Sequence, residues 1–196
     1  MKALLYDVVM APLGWMGLAQ ARQRLVSRVR GKVLEVGTGT GLALPRYPEG
    51  VESITAIDID AESLKRARQR RPGVEPLVAN VQELPFPDSS FDFVISSLVF
   101  CSVDEPARGL AEIRRVLKPA GELHMLEHVR SPHAQRAHLQ DWLTPAWCWM
   151  TGGCRLNRET FSLVQAAGFE VTRRVQRLDG LAEELTAVPV KAGARG

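Results

Sequence analysis

The residues most able to do chemistry crowd into one stretch, Val33-Leu34-Glu35-Val36-Gly37-Thr38-Gly39-Thr40-Gly41. Val33, Leu34 and Val36 read as a short buried strand, and three glycines alternate with threonines directly after it. Glycines in that position let the backbone turn at positive φ and let a ligand lie against bare main chain. The dinucleotide fingerprint spaces its glycines so that a helix N-terminus meets a pyrophosphate. Here the third glycine comes one residue early, Leu42 follows it, and the Glu35 carboxylate sits two residues before Gly37. That charge disfavours a pyrophosphate and favours a nucleoside-like ligand with a positive amino group. Asp58 follows Gly37 by 21 positions, close to the spacing of about 20 for a ribose-binding acid. A carboxylate can accept from both ribose hydroxyls at once. Asp58 could instead cap a helix, but Asp60 fits that task better.

A second set of candidates lies further along. His128 falls at the end of a predicted strand, where ligands sit in parallel sheets, and its imidazole titrates near neutral pH. It is the candidate catalytic base for any acceptor that must lose a proton. The structural alternative is a histidine hydrogen-bonded to Glu127. Cys101, Cys148 and Cys154, with His124, His128, His133 and His138, suggest metal only superficially. No pair has zinc-ligand spacing, so no metal is expected, and Cys101 reads best as a buried apolar residue, with a place in the acceptor pocket as the alternative. Trp142, Trp147, Trp149 and Met150 are expected to form an apolar lid, which favours a small hydrophobic acceptor.

Alternating strands and helices must position these groups. Leu18 to Val29 is a predicted helix with Leu18, Ala21, Leu25 and Val29 on one face. Predicted strands cover Lys32 to Val36, Ser53 to Ile57, Val74 to Ala79, Phe91 to Ser96 and Glu122 to Val129. Asp60 is set to cap a helix running to about Arg71, where Pro72-Gly73 stops it. The basic run within that helix is best read as a solvated face. Asp104 is placed to cap a helix from Glu105 to Leu117, whose apolar stripe is Leu110, Ile113, Val116 and Leu117. Residues 130–157 break the rhythm and read as a lid-like insertion over the C-terminal edge of the sheet. Asn157 is placed to cap a last helix to about Ala167. Glu170 to Gln176 and Val188 to Ala194 are the expected closing strands. Repeated strand–helix units imply a parallel sheet with helices on both faces.

The chain has 196 residues, 45% of them hydrophobic, which suits a single domain over residues 1–196. A net charge of +3 with a pI near 9.0 is diffuse basicity that does not imply nucleic acid. Three scattered cysteines argue against a disulfide framework and for a reducing, cytoplasmic location. The first 20 residues are apolar, but Asp7 and Pro12 interrupt them, so neither a membrane span nor a signal peptide is expected. The favoured reading of residues 1–30 is a helical segment packed on the domain or over the ligand site. The alternative is peripheral membrane contact through Trp15, Met16 and Leu18 ahead of Arg22, Arg24 and Arg28.

With these residues in place, the chain resembles a class I S-adenosylmethionine-dependent methyltransferase. The likeness rests on the Glu35–Gly41 loop, the acid Asp58, Leu84-Pro85-Phe86, Phe91-Asp92 and Leu117-Lys118-Pro119-Ala120-Gly121. The Leu-Pro-Phe and Leu-Lys-Pro-x-Gly signatures look like those of quinone-biosynthesis C-methyltransferases. Small methyltransferase-like thiol methyltransferases are similar over Leu98–Val103, Glu127-His128-Val129, Asp141–Trp147 and Gly152–Glu159. The resemblance implies an α/β, Rossmann-like, doubly wound and mainly parallel seven-stranded sheet. Its order would be 3-2-1-4-5-7-6, with the last strand antiparallel. It implies S-adenosyl-L-methionine as cofactor, held by Glu35, Gly37, Thr38, Gly39, Gly41, Asp58, Ile59, Asn80, Val81, Ser96 and Ser97. Glu35 would orient the ammonium, Asn80 and Val81 would meet the adenine, and Ser96 and Ser97 would end strand four beside the reactive methyl.

The expected activity is methyl transfer to a small-molecule acceptor: a thiol, a quinol-like ring or a lipid headgroup. The sulfonium is already activated, so positioning and water exclusion can supply most of the rate. A nucleic-acid methyltransferase is the first alternative, but Ser96-Ser97-Leu98-Val99 stands where base amino-methyltransferases carry a Pro-Pro-aromatic run. No aromatic-basic stripe is evident either, so no nucleic-acid partner is expected. The second alternative is a cofactor-binding module without turnover.

Overall fold

A computed structural model describes residues 17–151 and 153–190. Strand β1 (Gly31–Val36), β2 (Val51–Asp58), β3 (Leu77–Val78), β4 (Phe91–Ser97), β5 (Leu117–His128), β6 (Phe169–Arg177) and β7 (Ala182–Pro189) form one sheet. Its order is β3-β2-β1-β4-β5-β7-β6. The strands from β3 to β5 pair in parallel, and β7 runs antiparallel to both β5 and β6. This is the Rossmann-like arrangement that the resemblance implies.

Helices cover both faces: α1 (Ala19–Val26), α2 (Ala61–Arg70), α3 (Pro106–Val116), α4 (Ala134–Thr151) and α5 (Thr160–Ala166). The two cores follow from strand alternation. Leu34 and Val36 point to the face of Leu110, Ile113 and Val116 on α3. Val33 points to the other face, among Leu18, Leu25 and Val26 of the N-terminal helix. Glu35 shares that second side with Val33, which aims a carboxylate towards α1.

The caps differ in part from expectation. Asp60 caps α2, accepting from the Glu62 N–H at 3.1 Å and the Ser63 hydroxyl at 2.7 Å. Asp104 caps nothing: α3 starts at Pro106, whose fixed φ pre-forms the first turn. Asn157 does not cap α5 either; its amide donates to Asp141 Oδ1 at 2.9 Å.

Two expectations are corrected. The second closing strand was expected at Val188–Ala194 but is Ala182–Pro189, and residues 191–194 lie outside the described residues. The consecutive acids Glu183 and Glu184 look like a solvated loop in the sequence, yet both are buried. Arg174 binds Glu183 at 2.5 Å, and Arg177 and Arg24 bind Glu184 at 2.8 Å. Charge neutralisation thus permits acids in a central strand. In addition, residues 134–151 form a helix in spite of Pro145. The Thr144 hydroxyl bonds the Gln140 carbonyl at 2.6 Å beside the proline, in keeping with how such interruptions are accommodated. Among the described residues no helix is long and apolar enough to cross a membrane. Trp15 and Met16 lie outside them.

Candidate functional site

A cavity of about 400 Å³ opens at the C-terminal ends of β1, β2 and β4. It is lined by Glu35, Gly37, Thr38, Gly39, Asp58, Ile59, Asn80, Val81 and Ser97. The structure therefore gathers nine of the expected cofactor residues, from four separate segments, around one space. This is the edge where α/β sheets bind ligands.

The glycine loop is held from both sides. The Asp58 carboxylate accepts the Gly39 N–H at 2.7 Å through Oδ2 and the Asp60 N–H at 2.9 Å through Oδ1. Each oxygen keeps a further lone pair for a ligand hydroxyl. Burial pushes the Asp58 carboxyl above its ordinary value, and the two backbone N–H groups oppose that shift. Gly37 has φ +61, and a Cβ there would lie 2.3 Å from Val99 Cγ2. The glycine loop and the segment after β4 are thus in direct contact.

Glu35 is 3% exposed. Its Oε1 accepts from the Thr38 hydroxyl at 2.6 Å. Its Oε2 is buried with no hydrogen-bond partner of normal geometry, although the Tyr47 hydroxyl lies near it. Burial raises the Glu35 carboxyl pKa, while Thr38, Tyr47 and the charge of Arg22 pull it down. A buried carboxylate of a cavity-lining residue, with one oxygen lacking a hydrogen bond of normal geometry, fits a cationic ammonium. Across the cavity Ile59 is 72% exposed, an apolar rim fit to lie against an adenine. These residues fit S-adenosylmethionine.

Three expected residues stand elsewhere. Gly41 does not line the cavity; with φ +81 it lets the loop approach α2, where a Cβ would meet Ala67 Cα at 2.8 Å. Ser96 is fully buried and donates to Glu127 Oε1 at 2.8 Å, so its neighbour Ser97 faces the cavity instead. His128 is not in the lining either. It is not paired with Glu127; its Nδ1 lies 3.5 Å from Cys154 Sγ. The Asn80 amide oxygen accepts the Gln82 N–H at 2.9 Å, leaving one lone pair for an adenine amino group.

Sequence reasoning missed three participants. Arg22, 6% exposed, lines the cavity from α1, and its Nε donates to Ser97 Oγ at 3.3 Å. Its signal was a basic residue one turn after Leu18 and three before Leu25, on the apolar face of the helix. Glu127, fully buried, accepts from Ser96 Oγ, the Val99 N–H at 3.2 Å and the Cys101 N–H at 3.4 Å. Burial raises its pKa against those hydrogen bonds. It shapes the segment between Ser97 and Cys101, where Leu98 takes a strained φ of +61. Cys154 is the third. The Cys101 thiol and burial have opposite effects on it, and with His128 and Trp147 the balance lowers its pKa to about 5.

Of the residues expected to form a lid, Trp147 is half-buried and Trp142, Trp149 and Met150 are exposed. Trp142 and Trp149 are 77% and 87% exposed on the outer side of α4, and of that helix Thr151 lines the cavity. Gln140 anchors α4 beneath, donating to the Val129 and Leu156 carbonyls at 3.0 and 2.9 Å and accepting the Ser131 N–H at 2.7 Å.

The sheet order, the glycine loop and the paired carboxylates define an S-adenosylmethionine-binding α/β protein. Residues 34–133 match the methyltransferase domain family, and the chain belongs to that family. It is 37% identical over 147 residues to the thiol S-methyltransferase TMT1B of Rattus norvegicus, covering 70% of this chain and 59% of that protein. It is 40% identical over 116 residues to the phosphatidylethanolamine N-methyltransferase of Cereibacter sphaeroides, covering 55% and 57%. It is 36% identical over 127 residues to the demethylmenaquinone methyltransferase of Renibacterium salmoninarum, covering 62% and 53%. The chain thus spans between about half and three-fifths of the length of these relatives. In fold it matches a chain of the complex between the Haloferax volcanii Trm112 methyltransferase activator and a methyltransferase. That match has a TM-score of 0.76 at 19% identity, over 99% of this chain and 98% of that one. The [4+2]-cyclase SpnF matches with a TM-score of 0.71 at 22% identity, over 89% and 80%. A fold shared with a cyclase leaves function to the site.

Proposed function

We propose that this chain methylates a small, apolar acceptor, a thiol in the first place, with S-adenosyl-L-methionine as donor in the cytoplasm. The observation that carries the proposal is the single cavity joining Glu35, the glycine loop, Asp58, Asn80, Val81 and Ser97. Glu35 Oε2 would take the ammonium and Arg22 the carboxylate of the methionine part. Asp58 would hold the ribose, with Ile59, Asn80 and Val81 around the adenine. The cofactor supplies an electrophilic methyl on a sulfonium. The protein's part is to aim that methyl at the acceptor and to exclude water.

A thiol fits because its pKa, about 8.5 for cysteine, supplies some reactive thiolate without a dedicated base, and the cavity lining includes carboxylates but no imidazole or amine. The similarity to the thiol S-methyltransferase supports the same acceptor class. For an acceptor that must be deprotonated, His128 is the proposed base, through Nε2, since Nδ1 faces Cys154; it stands outside the cofactor-cavity lining, so such an acceptor would have to extend beyond that cavity to meet it. The three free cysteines support a reducing compartment.

One observation favours a second acceptor class, a lipid headgroup or quinol. Leu139, Trp142, Trp149 and Met150 form an exposed apolar stripe on α4. Tryptophan suits the boundary between water and lipid, so peripheral membrane contact would occur there. Turnover with labelled S-adenosylmethionine against alkyl thiols, a quinol and phosphatidylethanolamine vesicles tests both readings. Methylation of a thiol in free solution supports the first. Turnover of the lipid or quinol alone supports the second. No turnover with any acceptor, despite cofactor binding, would leave a binding module.

A further inference from the structure

Cys101, His128 and Cys154 come from three different elements: the segment after β4, the end of β5 and the segment after α4. The two Sγ atoms and one imidazole nitrogen all lie within 4.8 Å of one another. Cys101 Sγ and Cys154 Sγ are 3.3 Å apart, and Cys154 Sγ and His128 Nδ1 are 3.5 Å apart. We propose that this trio is a binding site for one thiophilic cation of the zinc class, distinct from the cofactor cavity.

Bond lengths of about 2.3 Å to sulfur and about 2.0–2.1 Å to nitrogen place tetrahedral ligand atoms about 3.5–3.8 Å apart. The Cys154–His128 separation of 3.5 Å matches this, the 3.3 Å between the sulfurs would widen by a few tenths of an ångström, and the Cys101–His128 pair lies within 4.8 Å. Two thiolates balance a divalent charge, and thiolate with imidazole is a donor set that selects zinc or monovalent copper over magnesium or calcium. The donors are held before any ion arrives. The Arg155 N–H donates to the Cys101 carbonyl at 2.9 Å, the Cys101 N–H reaches Glu127 Oε2, and the Cys148 thiol donates to the Cys154 carbonyl at 3.0 Å. Both cysteines are buried and His128 is half-buried, and three protein donors leave the fourth tetrahedral position to an outside ligand.

The consequence is mechanical. Cys101 adjoins Ser102, which lines the cofactor cavity, and Cys154 follows α4, whose Thr151 also lines it. A metal bridge would tie α4 to the rim of the cavity. With a cation on Nδ1, His128 keeps its proton on Nε2, so the base role lapses in the metal-loaded protein.

The test is metal binding by the full chain, stripped with chelator and kept under reductant. Added Zn²⁺ is expected to bind at one equivalent per chain and raise Tm. Co²⁺ in its place is expected to show thiolate-to-metal charge-transfer absorption. Losing an outer hydrogen-bond partner of a ligand costs about 10–100-fold in affinity. Cys154→Ser, which removes a direct ligand, is therefore expected to cost at least about 100-fold. His138→Ala, an exposed histidine of α4 outside the trio, is expected to retain binding. Cys101→Ser is the harsher variant because that side chain is 1% exposed, and Cys154→Ser carries the test if it fails to fold. Failure of the reduced chain to retain Zn²⁺, or equal binding by Cys154→Ser, overturns the proposal. So does a Cys101–Cys154 disulfide that forms on oxidation in a chain that takes no metal when reduced. The readouts are independent of turnover, so a catalytically silent protein that binds Zn²⁺ refutes the methyl-transfer reading alone.

Discussion

Replacing Gly37 with alanine strikes the contact on which the cofactor cavity is built. Gly37 has φ +61, and its added Cβ would lie 2.3 Å, 2.7 Å and 3.0 Å from Val99 Cγ2, Cγ1 and Cβ. The backbone conformation alone costs an L-residue about 1–2 kcal/mol. Forcing a methyl into filled space adds about 1–3 kcal/mol, so Gly37→Ala is expected to cost about 2–5 kcal/mol in total. The two origins are separable. Val99→Ala removes the two nearest atoms and by itself costs about 1 kcal/mol for two half-buried methyls. In the double variant the two shortest contacts go, the 3.0 Å contact to the residue-99 Cβ stays, and the φ cost remains. The double variant is thus expected to be more stable than the sum of the singles by about 1–3 kcal/mol. Urea unfolding at constant m-value measures all three variants. Calorimetry with S-adenosylhomocysteine measures whether the loop still takes the ligand. Gly37→Ala within about 0.5 kcal/mol of the parent, or additive singles, would refute the packing account.

Three further outcomes follow from the site and the sheet. Asp58→Ala is expected to lose about 1–3 kcal/mol of S-adenosylhomocysteine binding, the range for hydrogen bonds to a charged group; unchanged affinity by calorimetry would remove the ribose assignment. Because burial raises the Asp58 pKa, parent affinity is expected to fall as pH drops, starting above the ordinary carboxylate range, and Asp58→Asn is expected to flatten that profile. Burial opposes ionisation of Glu184, but Arg177 and Arg24 outweigh it and hold its pKa down. Its stabilising share is present above the unfolded value and lost as pH falls through the lowered folded value. Glu184→Ala is expected to cost about 1–3 kcal/mol at pH 7 and less in acid; the same loss at both pH values in thermal unfolding would contradict the ion-pair account.

Much of this architecture was legible because it depends on local rules. The apolar run into glycines marked β1 and its loop, and the Asp60 cap marked the start of α2. Strand β7 was misplaced because its acids are neutralised by Arg174, Arg177 and Arg24, a non-local fact that hydropathy along the chain cannot register. Helix α4 was hidden by Pro145 and by tryptophans that face solvent. At the site, strand alternation decides that Ser97 faces the cavity and Ser96 faces Glu127. The Cys101–His128–Cys154 trio escaped a spacing rule because three elements contribute one residue each.

The account rests on one cavity holding S-adenosylmethionine between Glu35 and Asp58. A crystal structure of the chain with S-adenosylhomocysteine tests this most directly. The expected result places the ligand ammonium on Glu35 Oε2, the ribose hydroxyls on Asp58 and the adenine beside Ile59. A ligand bound elsewhere, or a cavity that takes NAD in preference, would contradict it.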